Sequence, residues 1–162
     1  HNILNKIYMS PDFRIITEMA CSHHEKWDGT GYYRHLKGEE ITLGGRILAV
    51  ADVFDAITSK RHYRDKMPIA NVLDILMKGA GSHFDKNLVD TFMSISCSKI
   101  IRVFLSEYNG QMNPNDEELL KQYDLMSIYR FVNSENLSAE SQKVVDLFNH
   151  YYLGKSQEEK EQ

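Results

Sequence analysis

The chain has 162 residues, of which 42% are apolar and 26% charged, with a formal net charge of −4 at pH 7. These figures predict a globular domain, and the negative charge argues against binding of nucleic-acid polymers, which usually requires a basic excess. Cys21 and Cys97 are too few for a disulfide framework, so we expect a reducing, cytoplasmic setting. No apolar stretch approaches the roughly 18 residues of a membrane span, and no charged-then-apolar leader opens the chain, so we expect neither a membrane span nor a signal peptide.

The first predicted element is a helix followed by a loop. Ser10 before Pro11 is typical of an N-cap and the first helical position. An apolar stripe then runs from Phe13 to His23 at spacings of three and four residues, as in a helix. Residues 27–42 are polar and punctuated by glycine, which predicts an ordered loop.

The second predicted helix covers residues 44–59 and is apolar on almost every side, which indicates a buried central helix. Asp52 would then be a buried carboxylate. Such a group needs a metal ion, strong hydrogen-bond donors or an ion pair, for which Arg46 and Arg61 are the candidates.

The rest of the chain predicts further helices. Pro68 begins one of them, residues 84–108 supply one or two more, Asn113 caps a helix that runs to residue 132, and Ser138 caps the last. No alternating strand pattern is present, so the predicted fold is all-α. Apolar residues of the later helices are expected in the core rather than on a partner-binding face: Leu119, Leu120, Tyr123, Leu125, Met126 and Ile128.

The adjacent histidines His23 and His24 are candidate metal ligands. On a helix they would point about 100° apart and could not stack on each other. Both could reach forward into one cavity, or each could bind one of two neighbouring ions. Imidazole combined with a carboxylate, here Asp52, suits iron, manganese or zinc. The alternative is that one histidine is structural and the other exposed. Asp55, three residues beyond Asp52, is a candidate for orienting a ligand.

A basic segment follows the second predicted helix. Residues 58–66 read TSKRHYRDK, in which Arg61 and Arg64 flank Tyr63. Guanidinium groups match phosphate oxygens and a tyrosine can stack on a base, although a solvated basic turn is the alternative interpretation. Together, the histidine pair, the carboxylate and the arginines predict a metal-assisted phosphoester site.

Three motifs, in this order and spacing, resemble the HD-GYP family of metal-dependent phosphodiesterases. They are HHEKWDGTGYY, RILAVADVFDAITSKRHYR and GSHFDKNLVDTF, and the resemblance covers roughly residues 3–95. It implies a helical bundle of the HD superfamily that binds iron, manganese or similar metals and hydrolyses cyclic di-GMP. It also implies recognition of diguanylate cyclase (GGDEF) domains through the loop that contains the GYP signature.

The resemblance also implies roles for individual residues. His23, His24 and Asp52 would be metal ligands, and no catalytic residue is expected apart from this metal site. Arg61 and Arg64 would hold substrate phosphates, and Tyr32 would belong to the wall near the guanine or phosphate. Supporting and loop positions would be Glu25, Asp28, Tyr33 and Asp55.

The sequence departs from this family in two places. Its signature reads Gly31-Tyr32-Tyr33, without the proline, and His35 stands where glycine is usual. No His-Asp dipeptide precedes His23, whereas the family's other ligands lie on that side. We therefore expect the chain to carry the second half of the metal site, which predicts a weak or inactive catalyst, and His62, His83 and His150 to be surface or structural residues.

Three hypotheses follow for the chain. The first is that the chain is part of a working cyclic di-GMP phosphodiesterase. The second is a degenerate, non-catalytic module that binds a cyclic dinucleotide or a protein, and the third is a helical interaction domain. The predicted organisation is an HD-GYP-like portion over 1–105, a helical extension over 106–153 and a charged tail over 154–162. An incomplete bundle would expose apolar surface, which predicts a homodimer.

Overall fold

The computed structural model describes residues 11–59, 66–106 and 109–154, with side chains from residue 16 onward. In these ranges the regular elements are helices, apart from two isolated β-bridges, so the all-α prediction is confirmed. The helices are α1 (Pro11–Ser22), α2 (Leu43–Thr58), α3 (Ile69–Gly79), α4 (Lys86–Met93), α5 (Cys97–Ser106), α6 (Pro114–Lys121), α7 (Leu125–Val132) and α8 (Ala139–Leu153), with one 3-10 turn at Gly38–Glu40.

Side-chain caps begin several of these helices. The side chains of Asn113 and Ser138 accept backbone N–H groups at the starts of α6 and α8, as predicted. The single helix expected after Asn113 is two helices. Asp124 caps the second, since its Oδ1 accepts the Ser127 N–H at 2.8 Å. Asp124 was therefore a helix-start signal that the sequence interpretation missed.

The chain divides into two compact units. The first comprises the described residues up to Met67 together with Ile75–Asp90, and the second comprises Pro68–Asp74 together with the described residues from Thr91 onward. Helix α3 contributes to both units. The division at residues 105 and 153 that the sequence suggested stays a prediction.

In the first unit, the end of α1 packs closely on the beginning of α2. A Cβ atom at Gly44 would lie 2.4 Å from the Met19 side chain, and one at Gly45 would lie 2.6 Å from Ser22 Cβ. Two adjacent glycines thus allow the helices to approach at this point. The approach holds the residue that precedes the histidine pair against α2.

In the second unit, α5, α6, α7 and α8 enclose an apolar core. Of the residues predicted to be in the core, Leu120, Leu125 and Ile128 are completely buried, which confirms them. Leu119, Tyr123 and Met126 are half-buried. Burial raises the pKa of the Cys97 thiol to about 12, so this cysteine stays protonated and unreactive at neutral pH.

Helix α2 is not the fully buried helix that the sequence indicated. Ala49, Val50 and Phe54 are buried, but Ile47 is 49% exposed and Asp52 is also exposed. The prediction of a buried Asp52 was wrong because apolar residues around a whole helix do not ensure burial; more than half of an ordinary protein surface is apolar. Among the described residues, no helix is long and apolar enough to cross a membrane.

Candidate functional site

His23 and His24 lie in the turn directly after α1, which ends at Ser22. Their ring centroids are 3.9 Å apart and the ring planes are tilted by 40°. The expectation that they point about 100° apart on a helix was wrong, because the helix ends before them. The turn brings the two imidazoles into contact instead of separating them.

The His23 ring is oriented by the main chain. Its Nδ1 lies 2.8 Å from the Ala20 carbonyl oxygen, and a carbonyl can only accept, so Nδ1–H is the donor. With Nδ1 as the donor, Nε2 is the ring nitrogen that could bind a metal. Backbone carbonyls orient metal-binding histidines in the same way, so the His23 ring fits the chemistry of a metal ligand.

His24 belongs to an aromatic stack that extends to Tyr32. The two ring centroids are 4.8 Å apart with an interplanar angle of 20°, and Tyr32 donates its backbone N–H to the His24 carbonyl at 3.4 Å. Beside this stack is an open cavity of about 180 Å³ lined by Ala20, Cys21, His24, Tyr32 and Tyr33. Tyr32 thus lies beside the histidine pair, while its predicted place near the guanine or phosphate of a substrate stays a prediction.

Glu25 holds the loop that follows the histidines. Its side chain is 2% exposed, and its two carboxylate oxygens accept the backbone N–H groups of Arg34 at 2.7 Å and Leu36 at 3.1 Å. A buried carboxylate is satisfied here by main-chain donors instead of a cation. Glu25 thus closes the loop, while its predicted supporting role at the metal site stays a prediction.

The loop closes tightly around Gly31. A Cβ atom there would lie 2.3 Å from the Lys26 backbone nitrogen and 2.5 Å from Glu25 Cα, so only glycine fits. Arg34 then ties the loop to α1, because its Nη2 lies 2.5 Å from Glu18 Oε1 and 2.9 Å from Ser22 Oγ. The ion pair with Glu18 raises the pKa of Arg34.

Asp28 shapes the loop by a local turn. Its Oδ1 accepts both the backbone N–H and the hydroxyl of Thr30, at 2.9 and 2.6 Å, and these bonds lower the pKa of its carboxyl group. The backbone N–H of Asp28 donates to the Ser82 carbonyl, and that of Trp27 donates to the His83 carbonyl. Asp28 thus forms a hydrogen-bonded turn anchored to residues 82–83, while its predicted role at the site stays a prediction.

A buried ion pair beneath this loop was missed by the sequence interpretation. Arg46 Nη1 lies 2.7 Å from Asp85 Oδ2, and the Arg46 guanidinium carbon lies 5.6 Å from the centre of the Trp27 ring. Arg46 therefore pairs with Asp85 and not with Asp52. The partners are 39 residues apart, and only the motif GSHFDKNLVDTF pointed to the region of Asp85.

His83, the histidine of the third motif, is half-buried, in keeping with the expected surface or structural role. Its ring stacks on Phe84 with centroids 4.4 Å apart, and burial lowers its pKa. His150 is exposed on α8, whereas His62 lies outside the described residues.

Two further residues were predicted for the metal site, Asp52 as a ligand and Asp55 in a supporting role. Both are exposed on α2, and the Asp55 carboxylate accepts a long hydrogen bond, 3.4 Å, from the Ser59 hydroxyl. In residues 11–59, 66–106 and 109–154, no group of three His, Cys, Asp or Glu side chains is placed to hold a metal ion. The pair fits a metal by donor type, while the ligand set stays a prediction. Arg61 and Arg64 lie outside the described residues.

The signature loop has a backbone that proline could not adopt. Tyr33 has φ of 103° and His35 has φ of 56°, both in the left-handed region. Because proline requires φ near −65°, we expect Tyr33→Pro to lower the free energy of unfolding by more than about 1 kcal/mol, although it restores the family signature. Thermal unfolding followed by Trp27 fluorescence would measure this. Tyr33→Gly, which adopts this φ readily, is the control, and an equal effect of both variants would contradict the prediction.

Comparison with known proteins identifies the family to which this chain is similar. The model of the HD domain family matches residues 1–88 of this chain. A cyclic di-GMP phosphodiesterase of Vibrio cholerae is 46% identical over 81 residues, which are 50% of this chain and 16% of that protein. One of Thermotoga maritima is 38% identical over 106 residues, which are 65% of this chain and 28% of that protein.

A third relative differs in its named substrate. A 3'3'-cGAMP-specific phosphodiesterase of Vibrio cholerae is 44% identical over 80 residues, which are 49% of this chain and 15% of that protein. The chain thus matches less than a third of the length of each of these relatives. The resemblance noted from the motifs is confirmed, since the HD domain model covers more than half of the residues and the chain is similar to proteins named as cyclic di-GMP phosphodiesterases. This chain belongs to the HD domain family.

Proposed function

We propose that this chain carries part of the active site of a metal-dependent phosphodiesterase that acts on guanine-containing cyclic dinucleotides, with cyclic di-GMP as the first candidate. The observation that supports it most directly is the contact between His23 and His24, in which a backbone carbonyl orients the His23 ring. The HD domain family is metal-dependent. Relatives named as phosphodiesterases of cyclic di-GMP and of 3'3'-cGAMP share this stretch of sequence.

The proposed metal ligands are His23, His24 and Asp52, with iron or manganese as the first candidates and zinc as a third. When bound, the metal supplies Lewis-acid chemistry at the phosphate. Arg61 and Arg64 are proposed to bind the substrate phosphates through their guanidinium groups. Asp55, which is exposed on α2 like Asp52, is proposed to support the metal ligands.

The rest of the site orients these groups. Glu25 closes the loop by accepting two backbone N–H groups, which keeps Tyr32 stacked on His24. Because the stack limits rotation of the His24 ring, the ring is prepared for binding before a ligand arrives. The proposed function of the loop is therefore to position the histidine pair and to offer Tyr32 to the substrate.

The proposal predicts that the histidine pair binds a metal. We expect elemental mass spectrometry of the chain, purified without a metal-chelating column, to find iron, manganese or zinc, and the His23→Ala/His24→Ala variant to lose it. The same variant is expected to lose hydrolysis of cyclic di-GMP measured on the metal-loaded protein.

His35→Ala/His150→Ala is the matched control, since it removes two exposed imidazoles that are not proposed ligands. Equal metal content in wild type and the His23→Ala/His24→Ala variant would contradict the ligand assignment. A metal-free wild type that still binds cyclic di-GMP would instead favour the alternative, a non-catalytic binding module.

Three further expectations stay proposals. They are a cytoplasmic setting, in keeping with the free cysteines Cys21 and Cys97, a homodimer and a diguanylate cyclase (GGDEF) partner. Exposed apolar residues on the first unit are the observation in favour of a homodimer: Ile16, Leu43 and Ile47.

A further inference from the structure

Tyr33 combines an unfavourable backbone with an exposed ring. Its φ of 103° is rare for a residue with a β-carbon and costs conformational energy. Its side chain is 60% exposed, so burial of the ring in a core does not offset that cost. Residues with backbone strain of this kind cluster at active sites and at segments that hold ligands.

The position of Tyr33 suggests what that task is. The cavity of about 180 Å³ beside the histidine pair is lined by Tyr33 and Tyr32, together with His24, Cys21 and Ala20. Tyr32 is 61% exposed although it stacks on His24, so it retains surface for a ligand. Two tyrosine rings and an imidazole therefore border one opening.

The size and lining of this cavity restrict the ligand. Pockets that enclose a whole drug-sized molecule measure about 300–1,000 Å³, so this cavity suits one planar ring system of a larger ligand. Aromatic side chains bind the bases of single-stranded nucleotides by stacking, largely irrespective of the base. Among the described residues, no lysine or arginine lines this cavity, and Arg34, next to Tyr33, pairs with Glu18. The base is thus the part of the ligand that fits this lining.

We propose that Tyr33 contacts the substrate and forms, with Tyr32, an aromatic surface for one purine base of a cyclic dinucleotide. This inference rests on the proposed function and extends it to a residue at the position where the family resemblance implies proline. Tyr33 supplies both the left-handed backbone and the second tyrosine ring of this surface. A proline at position 33 would remove both. Tyr33 therefore acts on substrate affinity and not on the phosphoester chemistry.

The test compares Tyr33→Ala and Tyr33→Phe with wild type for cyclic di-GMP binding by calorimetry. Loss of one stacked base is expected to raise the dissociation constant of Tyr33→Ala roughly 5- to 150-fold. Tyr33→Phe keeps the ring and is expected to bind like wild type. In hydrolysis by the metal-loaded protein, Tyr33→Ala is expected to raise KM and leave kcat unchanged. Tyr129→Ala, in α7, is the control.

The outcomes separate this inference from the proposed function. If wild type binds cyclic di-GMP and Tyr33→Ala binds it equally well, Tyr33 is not a substrate contact, while the proposed function stands. If Tyr33→Phe loses as much affinity as Tyr33→Ala, the hydroxyl acts instead of the ring, and the stacking role is overturned. If wild type binds no cyclic dinucleotide, both proposals are overturned. Loss of binding to a diguanylate cyclase domain alone would assign Tyr33 to a protein interface instead.

Discussion

Replacing Arg46 by alanine is expected to lower the free energy of unfolding of the first unit by about 3–5 kcal/mol. Arg46 and Asp85 form an ion pair of 2.7 Å with side chains only 16% and 6% exposed. Removing one partner leaves the other charge buried without a counter-charge, which costs far more than the loss of a surface pair. Asp85 also accepts the Asn87 backbone N–H at 3.0 Å, so the start of α4 depends on its orientation.

Urea unfolding followed by Trp27 fluorescence would measure this effect, because Trp27 is the only tryptophan and belongs to the first unit. The matched control is Asp90→Ala, which breaks the exposed pair between Lys86 and Asp90, worth about 0.3–0.5 kcal/mol. We expect Arg46→Ala/Asp85→Ala to cost less than the sum of the two single variants. An effect of Arg46→Ala no larger than that of the control would contradict the prediction.

Replacing Glu25 by alanine is expected to lower the free energy of unfolding by about 3 kcal/mol or more. The Glu25 carboxylate is buried and accepts the backbone N–H groups of Arg34 and Leu36, and a hydrogen bond to a charged group contributes about 1.5–3 kcal/mol. Alanine leaves both N–H groups without this acceptor. Because these donors hold the loop that carries Tyr32, the stack on His24 is expected to loosen as well.

Glu40→Ala is the matched control for Glu25→Ala. The Glu40 carboxylate also accepts a backbone N–H, that of Lys37 at 2.9 Å, but Glu40 is exposed. We therefore expect Glu40→Ala to lower the free energy of unfolding by less than about 1 kcal/mol. Glu25→Gln keeps one acceptor oxygen and should lie between the two. Equal costs for Glu25→Ala and Glu40→Ala in urea unfolding would show that burial of Glu25 does not matter.

The sequence predicted most of the local structure correctly because local signals determine it. Proline and capping side chains at Asn113 and Ser138 set helix starts, and glycine with polar residues set the loop after Trp27. Asp124 was missed, although it is the same kind of signal, because apolar periodicity continues across it. Propensity and capping act over a few residues, so they can be read directly from the chain.

The site was predictable as a set of residue types but not as a geometry. The histidine pair, Glu25 and Tyr32 could be chosen from the motif HHEKWDGTGYY, and the resemblance to the HD-GYP family gave them expected roles. The contact between the histidine rings depends on where α1 ends, one residue before His23. Periodicity determines that end only to within a few residues, and one residue rotates a side chain by about 100°.

By itself, the sequence determined that this protein is helical, where several of its helices begin, and which motif carries the candidate site. Only the tertiary structure decided that Asp52 is exposed, that Arg46 pairs with Asp85, and that Tyr33 has a left-handed backbone. The physical reason is the range of the interactions. Helix starts and turns result from neighbours along the chain, whereas burial and ion pairing depend on which distant segments pack together, and that is settled by the fold as a whole.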